Sequence, residues 1–225
     1  MRLPLALLAG LASLAWTPAR AEVELSFYAG PQSAPHSDLS ISGDGVIPDL
    51  DVTAGWEGRS FSAPIHAGGR VTFWRPNDWG WGFEVNHTKV YADDDTLAET
   101  GLDHLEFSDG LNIVTVNAFR RFPDALDGAL GGRFGGVTPY LGAGAGVSVP
   151  HVEVTSGDSK TWEYQITGPA VAVMAGASLP ISDRWSVFGE YKGTYSRNEA
   201  DLEGGGTLET DIVTNALNLG VSFRF

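Results

Sequence analysis

Hydrophobic and polar side chains alternate with period two along most of the chain, and the C-terminus shows it best. From Val213 to Phe225 the odd positions read Val213, Asn215, Leu217, Leu219, Val221, Phe223 and Phe225. The even ones read Thr214, Ala216, Asn218, Gly220, Ser222 and Arg224. Successive side chains of a strand point to opposite faces, so this segment has one apolar face and one polar or small face. Trp185, Val187, Gly189, Tyr191 and Tyr195 oppose Ser186, Glu190, Lys192, Thr194 and Ser196 in the same way. The pattern recurs at Val137–Val149, at Trp79–Asn86 and at Val23–Gly30. It predicts strands near 22–30, 67–75, 79–90, 110–122, 136–150, 165–180, 185–197 and 211–225.

Soluble sandwiches also alternate, but their polar face meets water and rarely carries many glycines. Here the face opposite the apolar one is rich in Gly, as between Gly142 and Gly146, which suits a narrow interior where side chains fit around one another. The apolar face ends in Trp79, Trp81, Trp185, Tyr191, Tyr195, Phe223 and Phe225, as an interfacial aromatic girdle would. The expected fold is therefore all-β, an eight-stranded antiparallel transmembrane β-barrel of outer-membrane type. Arg75-Pro-Asn-Asp78 and Ile181-Ser-Asp-Arg184 are short turns, and Phe122–Gly135 is a longer one; these belong on the periplasmic side. Long acidic loops near 31–66, 91–109, 151–164 and 198–210 then face outward. An even strand count returns both termini to the periplasm, so Asp51–Gly58 is read as a ribbon within the first loop rather than a ninth strand.

Residues 1–21 read as a signal peptide. Arg2 precedes an apolar run from Leu3 to Trp16, and Ala19-Arg-Ala21 fits the small-x-small cleavage rule. An apolar run of about 14 residues is short for a helical span of about 20. The barrel domain is thus 22–225, exported and placed in the outer membrane of a Gram-negative cell. The absence of Cys excludes disulfides, thiolate metal sites, Cys nucleophiles and a lipoprotein anchor. The formal charge of −14, which becomes −16 once Arg2 and Arg20 leave, excludes nucleic acid as a natural partner.

Topology then sorts the charges. Glu24, Arg70, Glu84, Arg121, Glu190, Lys192 and Arg224 fall on inward positions. Eight strands leave an interior filled by side chains, so these groups are expected to pair as an ionic plug rather than line a channel. Twenty of the 28 acids fall in the outer segments and their borders, opposed there only by Arg59, Lys160 and Arg197. Such a crown either recruits Ca²⁺ or Mg²⁺ beside lipopolysaccharide phosphates or simply keeps the loops solvated. All five histidines, His36, His66, His87, His104 and His151, lie at or beyond the outer rim. His66, His87 and His151 end strands, and Asp109 opens one, so these four can form an arc on the outer wall. That arc either binds a metal or meets a lipid headgroup, or its imidazoles merely tolerate the interface. His87 continues the parity of Phe83 and Val85 and is expected to face the headgroup zone. No GxSxG, HExxH or phosphate-loop motif appears; His36-Ser37 and His87-Thr88 do not support acyl transfer on the wall.

Pro139-Tyr-Leu-Gly-Ala-Gly-Ala-Gly146, Phe188-Gly-Glu-Tyr191 and the terminal Phe225 resemble the small OmpA/OmpX-type barrels. A more specific resemblance is to the lipid A oxidases. It rests on Glu24-Leu-Ser-Phe-Tyr28, Ser33-Ala-Pro-His-Ser37, Gly55-Trp-Glu-Gly58, Asn86-His-Thr-Lys-Val-Tyr-Ala92, Phe107-Ser-Asp-Gly-Leu-Asn-Ile113, Val149-Pro-His-Val152 and Asp201-Leu-Glu-Gly-Gly-Gly206. That resemblance implies O₂-dependent conversion of the proximal glucosamine of lipid A to 2-aminogluconate, helped by a divalent cation. The family brings no residue roles with it, so His36, Glu57, His87, Asp109 and His151 are the candidates, chosen by type and position. The alternative is a non-enzymatic barrel serving envelope stability or binding cations and partners. The partners expected are outer-membrane lipids, lipopolysaccharide, and the barrel assembly machinery through the Phe225 strand, with the chain acting as a monomer.

Overall fold

The computed structural model of the protein describes residues 22–126 and 136–225, except for the side chain of Ser108. The expected signal peptide and residues 127–135 of the expected third turn lie outside them. Eight strands close into a ring: β1 (Glu22–Ala29), β2 (Ala67–Trp74), β3 (Trp79–Ala92), β4 (His104–Arg121), β5 (Thr138–Ser156), β6 (Gly168–Pro180), β7 (Trp185–Asp201) and β8 (Thr207–Arg224). Each pairs antiparallel with its neighbours, and β1 closes on β8 with Glu24 opposite Arg224 and Ala29 opposite Leu219. The short turns at 75–78 and 181–184 fall where the Pro, Asn and Ser residues predicted them. Segment 51–58 is a ribbon of the first loop, as expected: Leu50–Ala54 pairs with Ser37–Ser42, and Trp56–Glu57 pairs with the end of β3.

The inward positions carry the ionic plug. Arg70 Nη1 lies 2.9 Å from Glu190 and 3.6 Å from Glu84, while Lys192 contacts Glu84 and sits 3.6 Å from Glu190. Tyr140 donates to Glu190 at 2.8 Å, Asn117 Nδ2 donates to Glu84 at 2.8 Å, and Tyr28 donates to Glu84. Below this layer Trp74, Phe119, Tyr140, Met174 and Phe188 pack together. The facing wall of β5 must be thin, because a side chain at Gly142 would run into Phe119 and one at Gly144 into Asn117. A cavity of about 30 Å³ toward the periplasmic end is space for one water. Nearer the periplasmic mouth, Arg121 and Arg224 pair with Glu22, Glu24 and Asp78.

The outer half departs from the expectation of long loops. A transmembrane strand needs about 9–11 residues, yet β4, β5, β7 and β8 run to 18, 19, 17 and 18. The segments read as loops at 151–164 and 198–210 are largely strand, and 91–109 is strand at both ends around a short helix. Their alternation continues with its polarity reversed. Within the span the exposed face is Phe83, Val116, Val173 and Leu217, and the buried face is Glu84, Asn117, Lys192 and Asn218. Above it the inward positions become Val90, Leu105, Phe107, Val152, Val154, Leu208 and Ile212, all buried, and the outward ones become His104, Glu106, Glu153, Glu199 and Glu209. Leu39, Ile41 and Trp56 from the first loop complete this upper core. The extension is thus a water-facing cap built on the membrane barrel.

Among the described residues one helix, α1 (Asp94–Thr100), connects β3 to β4. Asp93 is its N-cap, accepting from Thr96 N at 2.8 Å, and Gly101 ends it at φ 71°. The hydrogen bonds from Thr96 hold the Asp93 carboxyl below its ordinary range. Its folded value is lower than its unfolded one, so the cap is fully formed above the unfolded value of about 3.9 and is lost as pH falls through the folded value. Replacing Asp93 with alanine should cost about 1 kcal/mol locally at neutral pH. Faster amide exchange confined to 94–100 is the expected readout, with the difference from wild type vanishing in acid.

Candidate functional site

The clearest convergence of chemistry lies on the outward face of the extension, where β4 and β5 resume pairing above a bulge. Between Glu106 and Leu111, β4 carries two more residues than β5 uses to reach from Glu153 to Pro150. Gly110 makes this possible at φ 111°, a conformation that L side chains rarely adopt. Above the bulge His104 stands opposite Thr155 and Glu106 opposite Glu153. Like charges directly opposed on one face are destabilising, and two imidazoles answer them. His104 Nε2 is 3.1 Å from Glu106 Oε1 and 3.7 Å from Glu153 Oε2. His151 Nδ1 is 2.8 Å from Glu153 Oε1. The strand Ser159–Tyr164 flanks the other side of β5, with Trp162 opposite Glu153 and Tyr164 opposite His151. Their rings lie 5.1 and 4.7 Å from the His151 ring.

Glu106, His151 and Glu153 are consequently buried on a face that points outward, while Trp162 and Tyr164 leave 53% and 60% of their surface exposed. Tyr164 donates to the Asp109 carbonyl at 3.3 Å, and Lys160 lies over Trp162 at 4.2 Å. His104, Glu106 and Glu153 form one set of three donors, and Asp109, His151 and Glu153 form another; within each set the donor atoms lie within 4.8 Å of one another. Mixed imidazole and carboxylate donors suit divalent transition metals. The divalent cation implied by the sequence resemblance therefore fits these residues.

Of the five candidates from the sequence, the structure brings Asp109 and His151 together. His87 sits on β3 at the opposite edge of the β4 bulge, where a side chain at Gly110 would strike its ring. Its Nδ1 pairs with Asn112 Oδ1 at 3.0 Å, and its Nε2 is buried without a partner among the described residues. Glu57 is elsewhere, in an exposed ion pair with Arg59 at 2.8 Å. His36 is exposed and lines a separate cleft with Asp38, Asp51, Arg197, Glu209 and Asp211. The expected arc also loses His66. That ring is buried in the lumen against Asn218 Oδ1 at 3.2 Å, because it shares even parity with Arg70, Thr72 and Trp74. Sequence reasoning missed His104, Glu106 and Glu153 as site residues. The signal available for them was alternation itself, since His104 and Glu106 interleave with Leu105 and Phe107, and His151 and Glu153 with Val152 and Val154.

The solved structures similar to this chain are outer-membrane barrels. OprG from Pseudomonas aeruginosa matches at 12% identity over 91% of this chain and 96% of its own, with a TM-score of 0.51, which speaks to the fold alone. Neisserial surface protein A matches at 15% identity, 91% and 96% coverage and a TM-score of 0.45. Ail of Yersinia pestis matches at 15% identity, 91% and 99% coverage and a TM-score of 0.41. A comparison with curated protein sequences finds no match. The model of the outer membrane protein beta-barrel domain covers residues 5–225. With the closed ring, the plugged lumen and the apolar outer wall, that match identifies the chain as a member of the outer membrane protein β-barrel domain family, located in the Gram-negative outer membrane.

Proposed function

We propose that the protein modifies the sugar headgroup of lipopolysaccharide at the outer leaflet, as the lipid A oxidase resemblance implies, using the wall between the β4 bulge and the 159–164 strand. The observation that carries this reading is the buried His151–Glu153 pair, which faces outward at the outer end of the membrane span and is flanked by exposed aromatic rings. Aromatic side chains with a polar handle suit an interface that is apolar on one side and wet on the other. Trp162 and Tyr164 offer flat surfaces to the C–H face of a pyranose, and Lys160 beside them offers a charge to a phosphate. Oxidation at C1 of a free glucosamine hemiacetal removes two electrons and two protons to give a lactone. Water opens the lactone to the 2-aminogluconate, and O₂ takes up the two electrons and two protons as H₂O₂. Protein side chains alone do not carry that electron transfer; a redox-active divalent metal held by the His and carboxylate donors would supply it. The chain's own contribution is to bind and orient the sugar and to fix the donors.

Expression in a Gram-negative host whose lipid A carries a free, unphosphorylated C1 hydroxyl on the proximal glucosamine and lacks 2-aminogluconate tests the reading. Aerated cells should yield a lipid A fraction heavier by one oxygen atom, and cells grown without O₂ should not. His151→Ala and Glu153→Gln should lower that fraction by about 10²-fold in barrels that still fold. Unchanged lipid A beside a folded, surface-exposed wild-type barrel sinks the idea. The ion-paired plug favours a second reading, a barrel that stabilises the envelope without chemistry. On that reading deletion makes the outer membrane leaky, and both variants restore it.

A further inference from the structure

We propose that Glu153 is a bridging carboxylate, and that His104–Glu106 and Asp109–His151 are the two halves of one dinuclear divalent-cation centre. The inference deepens the proposed reading, since it names how many ions the same donors hold, but it is argued from their geometry and tested by metal binding alone. Glu153 belongs to both donor sets, and its two oxygens are turned in different directions. Oε1 faces His151 Nδ1 at 2.8 Å, whereas Oε2 faces His104 Nε2 at 3.7 Å. A carboxylate presenting one oxygen to each of two donor sets can span a pair of metal ions about 3.5–4 Å apart.

The separations fit a coordination shell. With metal–ligand bonds of about 2.0–2.2 Å, two donors on one ion stand about 3.0 Å apart at a right angle and about 3.4 Å apart at a tetrahedral one. The three pairs that involve an imidazole and a glutamate are 2.8, 3.1 and 3.7 Å apart, and the remaining donors of each set lie within 4.8 Å, so binding draws the donors together around each ion. Charge points the same way. Three carboxylates, two of them buried, converge with two imidazoles on a single face, a donor set that suits divalent cations. The surroundings supply rigidity. The bulge fixes Asp109 on one side, Trp162 and Tyr164 pack on His151 from the other, and the buried Leu105, Phe107, Val152 and Val154 anchor the same backbone from within. Each half also keeps an open side, through the exposed Asp109 and the partly exposed His104.

The test uses the full-length mature barrel, folded in detergent micelles, with Mn²⁺ as the probe. Equilibrium dialysis with elemental analysis should find two Mn²⁺ per chain, and the electron paramagnetic resonance spectrum should show exchange coupling between them. Glu153→Gln should weaken both by more than the about 10–100-fold that loss of a ligand's supporting partner costs. His104→Ala and His151→Ala should each leave one ion, with the isolated six-line signal of uncoupled Mn²⁺. Asp211→Asn, on the far side of the barrel, should leave two. One ion per chain, no ion, or two that show no coupling in the wild type overturns the proposal. The no-ion result would make the His–Glu pairs mere struts of the extension. The wild-type spectrum decides the matter even where a variant fails to fold. A barrel that binds two coupled ions yet leaves lipid A unchanged would keep this centre and remove only the oxidase reading.

Discussion

Replacing Glu84 with glutamine should cost the barrel about 3–5 kcal/mol of unfolding free energy, the usual penalty for removing one partner of a buried charge cluster. Glu84 is 1% exposed and is contacted by Tyr28, Asn117, Arg70 and Lys192. The neutral amide leaves two buried cations sharing Glu190 alone, in a lumen with room for about one water beside Arg70. Urea unfolding in micelles, followed by tryptophan fluorescence, gives the number. The double variant Glu84→Gln, Lys192→Met removes one charge of each sign and should recover more than half of the loss, because the two sites share one network. A single variant within about 1 kcal/mol of wild type would show that the cluster does not hold the wall together.

Phe107→Ala should cost a similar amount, about 3–5 kcal/mol, but in a different place. Phe107 is fully buried beside Trp56, with ring centroids 6.3 Å apart, in the core above the membrane span. Water surrounds that core, so each buried methylene there contributes the full hydrophobic term of about 0.8 kcal/mol. An outward Val or Leu of the span has lipid on one side in the folded state and gains no comparable burial within the sheet. The damage should therefore be confined to the extension. Amide exchange and limited proteolysis should rise over 39–56, 90–107 and 152–163 while the span below stays protected. Uniform loosening of the whole barrel would show that cap and span unfold as one unit.

The span was legible because alternation, short turns and glycine placement all point to one answer there. The parity that sent Arg70, Glu84, Glu190 and Lys192 inward is the parity they have. The same rule applied to His66 would have sent it inward too; counting it with the other rim histidines gave it the wrong side of the wall. The extension was harder to read because acids dominate its composition, which resembles that of solvated loops. Glu106 and Glu153 disappear into such a count, although the apolar residues between them still repeat every second position. What no count could supply is the pairing. His104 faces Thr155, and Glu106 faces Glu153, only because the β4 bulge absorbs two residues; Gly110 permits the bulge but does not by itself set the offset. The first loop is similar: Leu39 meets Thr210 and Trp56 meets Ala92 across long sequence separations, so its side chains joined a core that local pattern did not announce.

The reversal of polarity partway up the strands works as a waterline. Sliding the barrel deeper would push Glu106, Glu153 and Glu209 toward hydrocarbon, and raising it would lift Phe83, Val116 and Leu217 into water; both moves cost energy. The height of the β4–β5 wall above the leaflet is therefore set by the strands and not by the motion of any loop. Anything that reaches the wall as part of the leaflet arrives by travelling in a plane. Its encounter rate follows its density per unit area of membrane, and diluting the medium around the cell leaves that rate unchanged.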